Sequence, residues 1–264
     1  MEENVTTAPE FTVGSVISRT YTVLSHNFLL FFVLALANQI PMVISRFFIN
    51  PFIDKRVTME TVTLALFFLL GQWILMLIFQ GAVAYATYQA LLDKKATIRE
   101  SLSFCIPKIG SISLASLLIF FSVAFRSLLV LFPLMVFTLV FRPAFLLIFI
   151  IIAMRMCALS VTIPACVTEN LEAKASLRRS EELTENHGWK IFFSYLLTFI
   201  VCFIFVVIIK LLLNAGNLNS DFSGQLATSF ILELLWNVVT AVIYYRLREV
   251  KEGVGVDALV NVFD

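Results

Sequence analysis

The chain is poor in charge and in the residues that carry out chemistry. Asp, Glu, Lys and Arg make up 14% of its 264 residues, and it has only two histidines, His26 and His187. No Ser/His/Asp constellation has a workable setting among so few groups, and G-x-G-x-x-G and P-loop patterns are absent. The four cysteines, Cys105, Cys157, Cys166 and Cys202, show neither C-x-x-C nor Cys/His spacing, which excludes the common zinc motifs. They read as small apolar residues of a packed interior. The net charge of +1 gives no broad pull on nucleic acid. The first residues, MEENVTTAPEF, lack a basic segment followed by an apolar one, so no cleavable signal peptide is expected. The expectation is a protein without cofactor or metal, and not an enzyme.

Apolar sequence is what the chain has in abundance. Hydrophobic residues are 60% of the total, against about 45–50% in soluble domains even with glycine counted. Apolar runs of twenty residues and more recur, each long enough to cross a hydrocarbon core of roughly 30 Å as a helix. The alternating pattern of an outer-membrane barrel is missing. The expected fold is all-α: one polytopic membrane domain over residues 1–264 with six transmembrane helices. The expected spans are 28–48, 61–91, two within 112–167, 189–213 and 222–247. The run 112–167 is too long for one crossing. Pro133 and Arg142-Pro143 are its breakers, so the turn is placed between them.

Basic residues orient the bundle. Twelve fall in the N-terminal segment, the second-to-third and fourth-to-fifth connections and the tail. Six fall on the other side: Arg46, Lys55, Arg56, Arg126, Arg142 and Lys210. This bias predicts that both termini are cytoplasmic.

Three stretches align without gaps: SRTYTVLSHNFLLFF from Ser18, RESLSFCIPKIGSIS from Arg99 and RRSEELTENHGWKIF from Arg178. Thr20, Ser101 and Ser180 coincide, as do Val23, Phe104 and Leu183, and Phe31, Ile112 and Ile191. The implied repeat covers 11–91, 92–167 and 171–247, with 248–264 as a cytoplasmic tail. Each unit is an amphipathic helix followed by a membrane hairpin. The helical stripes are Val13, Val16, Ile17, Thr20 and Leu24; Ile98, Leu102, Cys105, Ile106 and Ile109; and Ala173, Leu177, Ser180 and Leu183. Thr97 and Glu100 have capping-box spacing. Gly188 is expected to stop the third amphipathic helix, since glycine takes the left-handed conformation a helix C-terminus needs. Helices of this kind lie in the headgroup plane.

The segment ALSVTIPACVTENLEAKASLRRSEELTENHGWKIF carries a Pro-Ala near a span end, a Glu soon after, then an Arg-Ser helix with Leu-Thr and an aromatic start to the next span. The tail reads Tyr-x-Leu-Arg-x-x-Lys-Glu-Gly from Tyr245, and FTVGSVISRTYTVLSHNFLLFF opens the chain. These features resemble the six-helix membrane domain that precedes some bacterial glycerophosphodiester phosphodiesterases, and its stand-alone relatives. The resemblance implies a bacterial inner-membrane protein with six helices. It does not bring the phosphodiesterase activity, because no barrel domain follows in this sequence. Where that family often has Pro-Gly-Ile between the third and fourth spans, this chain reads LFPLMVFTLVFRPAF.

Two charges fall inside expected spans at similar depth, Arg155 and Glu233. At that depth a lone charge costs about 2.5–3.5 kcal/mol on the translocon scale, so the two are expected to pair. Asn38, Gln39, Gln72 and Asn237 are expected to add hydrogen bonds. At the cytoplasmic face, Lys174, Arg178, Arg179 and Lys190 are candidate contacts for lipid headgroups. The readings of function are a protein organising lipid or a protein partner at that face, and a small permease or channel centred on Arg155 and Glu233. An enzyme acting on lipid stands third.

Overall fold

A computed structural model describes residues 10–49, 58–92, 94–138, 144–215 and 220–253. The described chain is helical throughout, without strands. Helix α1 is Val13–His26, α2 is Phe28–Ile44 and α3 is Met59–Leu91. Then come α4 (Ile98–Cys105), α5 (Ile109–Thr138), α6 (Ala144–Leu159) and α7 (Thr162–Thr168), followed by α8 (Ala173–Thr184), α9 (Gly188–Ala215) and α10 (Ser220–Glu252). Six candidate spans are long and apolar enough to cross a membrane: Phe28–Phe47, Met59–Leu91, Ile98–Phe125, Phe149–Thr168, Gly188–Ala215 and Phe222–Glu252. The chain is a multi-pass membrane protein.

Local chemistry accounts for many of the boundaries. Thr12 caps α1 with Ser15, Thr58 caps α3 with Thr61, and Thr97 caps α4 with Glu100, each as a reciprocal capping box. Pro41, which has no N–H to donate, lies near the end of α2, and the next turn loosens into a π-helical segment, Ser45–Ile49. Asn170 and Asn186 take left-handed backbone conformations, with φ of 52° and 66°, in the links on either side of α8.

Several expectations need correction here. Pro133 itself lies inside α5 and does not end it, while the turn expected between Pro133 and Pro143 agrees with α5 ending at Thr138 and α6 starting at Ala144; residues 139–143 fall outside the described residues. Gly188 does not stop the third short helix. That helix ends at Thr184, Asn186 takes the left-handed turn, and Gly188 starts α9. The sixth helix, expected to end at Leu247, continues through Glu252. In α4 the buried side chains are Ser101 and Cys105, whereas Ile98, and Ile106 just beyond the helix, are exposed.

Helix α10 is the hub of the bundle, packing on α1, α2, α3, α7, α8 and α9. The core gathers at one end. Buried residues of α3 begin at Leu77, those of α9 stop at Cys202, and the buried apolar side chains of α10 begin at Leu234. Tyr244, Ile243, Leu247, Phe11, Phe31 and Ile191 are among the largest fully buried side chains. The opposite halves of α3 and α9 expose Leu66, Phe67, Leu69, Leu211 and Leu212. Apolar surface of this kind is stable only against lipid or another apolar surface. All four cysteines are free and buried.

Glu10 and the C-terminal turns of α10 meet at the core end. Arg246 of α10 donates to the Glu10 carbonyl at 3.2 Å, and Arg19 of α1 faces Glu249 at 3.6 Å.

Candidate functional site

The two charges expected to pair have different partners. Arg155, on α6, forms an ion pair with Glu181 of α8 and donates to the Ser122 hydroxyl of α5 at 3.2 Å. Glu233 accepts hydrogen bonds from Asn38 Nδ2 at 2.5 Å and Gln39 Nε2 at 2.9 Å. The expected Arg155–Glu233 pair is therefore corrected. Position along a span placed the two residues but not the neighbours each would face. Glu181 sits on a helix whose Ser180 and Thr184 hydroxyls both donate to the Ala158 carbonyl of α6. Those bonds seat α8 against α6 and bring Glu181 within reach of Arg155.

The amides named from the sequence gather around Glu233. Asn237 Nδ2 donates to the Glu233 carbonyl at 2.7 Å, and Gln72 Nε2 donates to the Asn38 carbonyl at 3.4 Å. Among the described residues no cation pairs with Glu233. Asn38 Oδ1 is buried without a partner. Next to this cluster, Gln80, Ser160, Asn237 and Thr240 line a cavity of about 80 Å³ that also touches Trp236 and Pro164. It is polar on one side and large enough for water. Tyr195 stacks on Trp236 and shares a 2.9 Å hydrogen bond with Thr240.

A second polar cluster ties the chain's last helix to α8, and sequence reasoning missed it. Glu169 follows α7 directly. Arg179 Nε donates to its two carboxylate oxygens at 3.1 and 2.9 Å, and the Tyr244 hydroxyl donates to it at 2.7 Å. Arg179 also binds Glu252, which accepts from Arg248 at 2.9 Å. The Thr168 hydroxyl lies 2.7 Å from the Tyr244 hydroxyl. Two carboxylates and two guanidiniums thus balance one another, each largely shielded. The available signal was the resemblance itself. The Glu after the Pro-Ala, the Arg-Ser helix and the Leu-Arg-x-x-Lys-Glu tail are the segments that meet here.

A groove of about 880 Å³ lies between α6, α8 and the start of α9. Met154, Arg155 and Ala158 form one wall, and Arg178, Glu181, Glu182 and Glu185 another. Asn186, Gly188, Trp189 and Lys190 close it. Of the four basic residues expected to meet headgroups, it holds Arg178 and Lys190. Arg178 is exposed and paired with Glu182 at 2.9 Å; Lys190 reaches Glu10 at 3.1 Å. Arg179 is instead committed to Glu169 and Glu252. Lys174 is exposed, away from the groove, and makes no ion pair among the described residues.

Among the described residues the groove lining holds neither His nor Cys. His187 is spent on a 3.0 Å contact with the Glu185 carbonyl and an edge-on contact with the Phe11 ring. Among the described residues, no group of His, Cys, Asp and Glu is arranged to hold a metal ion. Comparison with protein-family models, with curated proteins and with solved structures gives no match.

Proposed function

We propose that the chain is a non-enzymatic protein of the bacterial inner membrane that holds phospholipid at the cytoplasmic face. In this reading the end carrying Glu10 and Glu252 is the cytoplasmic one, as the excess of basic residues in its connections suggests. The three short helices α1, α4 and α8 lie at that face, each leading into a membrane hairpin as one unit of a three-fold repeat. Aligned positions support the repeat: Thr20, Ser101 and Ser180 are all buried, and so are Phe31, Ile112 and Ile191. The resemblance to the membrane domain ahead of some glycerophosphodiester phosphodiesterases points the same way, toward phospholipid.

The observation that carries the proposal is the groove. It combines cationic side chains with Trp189, a residue suited to the headgroup level. Its walls continue into exposed apolar faces, Phe149 and Ile151 on α6 and Phe193 and Leu197 on α9. A headgroup thus has polar partners, and its acyl chains have apolar flanks. The test is native mass spectrometry of protein released from nanodiscs. Wild type is expected to keep phospholipid that the double variant Arg178→Glu/Lys190→Glu loses. A bare wild-type monomer overturns the proposal.

A permease or channel is the second reading, and Glu233 is the observation that favours it. Ionisable residues inside spans often mark transport paths. Against it stands the small size of the polar cavity beside Asn237 relative to the groove at the bundle end.

A further inference from the structure

We infer that the segment 94–108, which links α3 to α5 through α4, is a contact site for anionic phospholipid, separate from the groove. The inference stands on unpaired charge and does not depend on what the groove holds.

Six cations of α1, α8, α9 and α10 are matched. Arg19, Arg178, Arg179, Lys190, Arg246 and Arg248 each reach a carboxylate. The link from α3 to α5 is different. Lys94, Lys95 and Arg99 are exposed, and none of them forms an ion pair among the described residues. Lys108 donates to the Val167 carbonyl at 2.7 Å and lies over the Phe104 ring at 3.9 Å, contacts that leave its charge uncancelled. The sequence brings two carboxylates to this stretch, Asp93 and Glu100. Glu100 turns back to cap α4, accepting from the Thr97 N–H at 3.0 Å, and Asp93 lies outside the described residues. Four cations against two carboxylates leave the link net positive. In the groove, by contrast, Arg155, Arg178 and Lys190 are each held by a glutamate.

Apolar surface lies beside this charge. Ile98 and Ile106 are exposed, while Ser101 and Cys105 turn to the core. With Leu102 between them, the two isoleucines fall at four-residue steps along one side. Unpaired cations beside an exposed apolar stripe are the makeup of a helix that rests on an anionic bilayer. The fold also keeps the link near one. Helix α3 ends at Leu91 and α5 starts at Ile109, and both carry candidate spans, so the link is tethered to the bilayer at each end. That tether, with the excess of positive charge, favours an anionic lipid surface as the occupant over an acidic protein. Each basic residue near such a surface strengthens association about fivefold. The attraction acts between exposed charges over about a screening length and needs no buried group.

The experiment uses full-length protein in nanodiscs of equal parts phosphatidylglycerol and phosphatidylcholine, with co-released lipid read by native mass spectrometry. Wild type is expected to retain phosphatidylglycerol at least about fivefold over phosphatidylcholine, the effect of one basic residue at the surface. Lys94→Gln/Lys95→Gln/Arg99→Gln is expected to lose most of that preference, and Arg178→Gln/Lys190→Gln to keep it. An unchanged thermal midpoint verifies that each variant is folded. Wild type alone gives a second reading. Raising salt from 0.1 to 1 M shortens the screening length from about 10 Å to about 3 Å and is expected to remove the preference. Equal retention of the two lipids by wild type overturns the inference and leaves the link to an acidic protein partner. A preference that survives in the triple variant, or that persists at 1 M salt, or that is lost with Arg178 and Lys190 instead, also overturns it. None of these outcomes bears on whether the groove holds phospholipid.

Discussion

The Tyr244 hydroxyl donates to the Glu169 carboxylate at 2.7 Å, and Arg179 grips the same carboxylate from α8. Helix α10, an inter-helix link and a short helix are thereby fastened at one point. Arg179→Ala strips a cation from Glu169 and Glu252 together and is expected to cost about 2–4 kcal/mol, toward the range for breaking a shielded pair. Arg178→Ala, one residue away, loses only an exposed i,i+4 pair with Glu182 and is expected to cost about 0.3–0.5 kcal/mol. Thermal midpoints in one mild detergent compare them. Equal losses would count against the network as a structural clasp.

Asn38 and Glu233 are coupled through a side-chain hydrogen bond inside the bundle. Asn38→Leu is expected to cost about 1 kcal/mol, typical of such bonds between membrane helices. Glu233→Gln keeps an acceptor for both amides and is expected to cost less. The double variant is expected to be no worse than Asn38→Leu alone, a non-additivity that a double-mutant cycle reads. Strict additivity sinks the coupling.

Gly81 has no room for a side chain. A Cβ there meets Cys105 Sγ at 2.2 Å, and Cys105 is fully buried. Gly81→Ala is expected to destabilise by about 1–3 kcal/mol through overpacking, and Cys105→Ala in the same chain is expected to restore most of the loss. At Gly188 the added atom meets only the terminal methyl of Met154, at 2.6 Å, which can swing away. Gly188→Ala is expected to change the thermal midpoint little.

Arg155 and Glu181 invite a charge exchange. Arg155→Glu places two carboxylates together and is expected to lower both the folded yield and the thermal midpoint. Adding Glu181→Arg restores opposite charges and is expected to recover a large part of each. If the double variant behaves like Arg155→Glu alone, the ion pair does not carry the contact between α6 and α8.

The six spans were legible because apolar runs longer than a bilayer allow few other readings. Pro133 was misleading because proline can sit within a membrane helix whose freed backbone groups find other partners. Rotational neighbours were harder to read. Glu233 and its amides sit at helix faces that sequence spacing could group, whereas Arg155 needed knowledge of how α8 packs. That helix buries Ala173, Ser176, Ser180, Leu183 and Thr184, a face with one large apolar side chain among small and polar ones, which makes a weak apolar stripe. Its seating depends on Ser180 and Thr184 hydroxyls finding a carbonyl of α6, and a hydroxyl's partner has no periodicity in sequence. The groove was legible only as scattered charges, because its walls come from three separate elements.

The bond between Asn38 and Glu233 joins residues 195 positions apart. At about 5–20 residues per second of synthesis, the first span waits roughly 10–40 s for the sixth to emerge. Through that interval the Asn38 and Gln39 amides have no Glu233 to accept their hydrogen bonds. Insertion of this protein therefore favours an assembly order in which the first helix is sheltered, by the translocation machinery or by early neighbours such as Gln72 of α3, until the last helix arrives and closes the bundle.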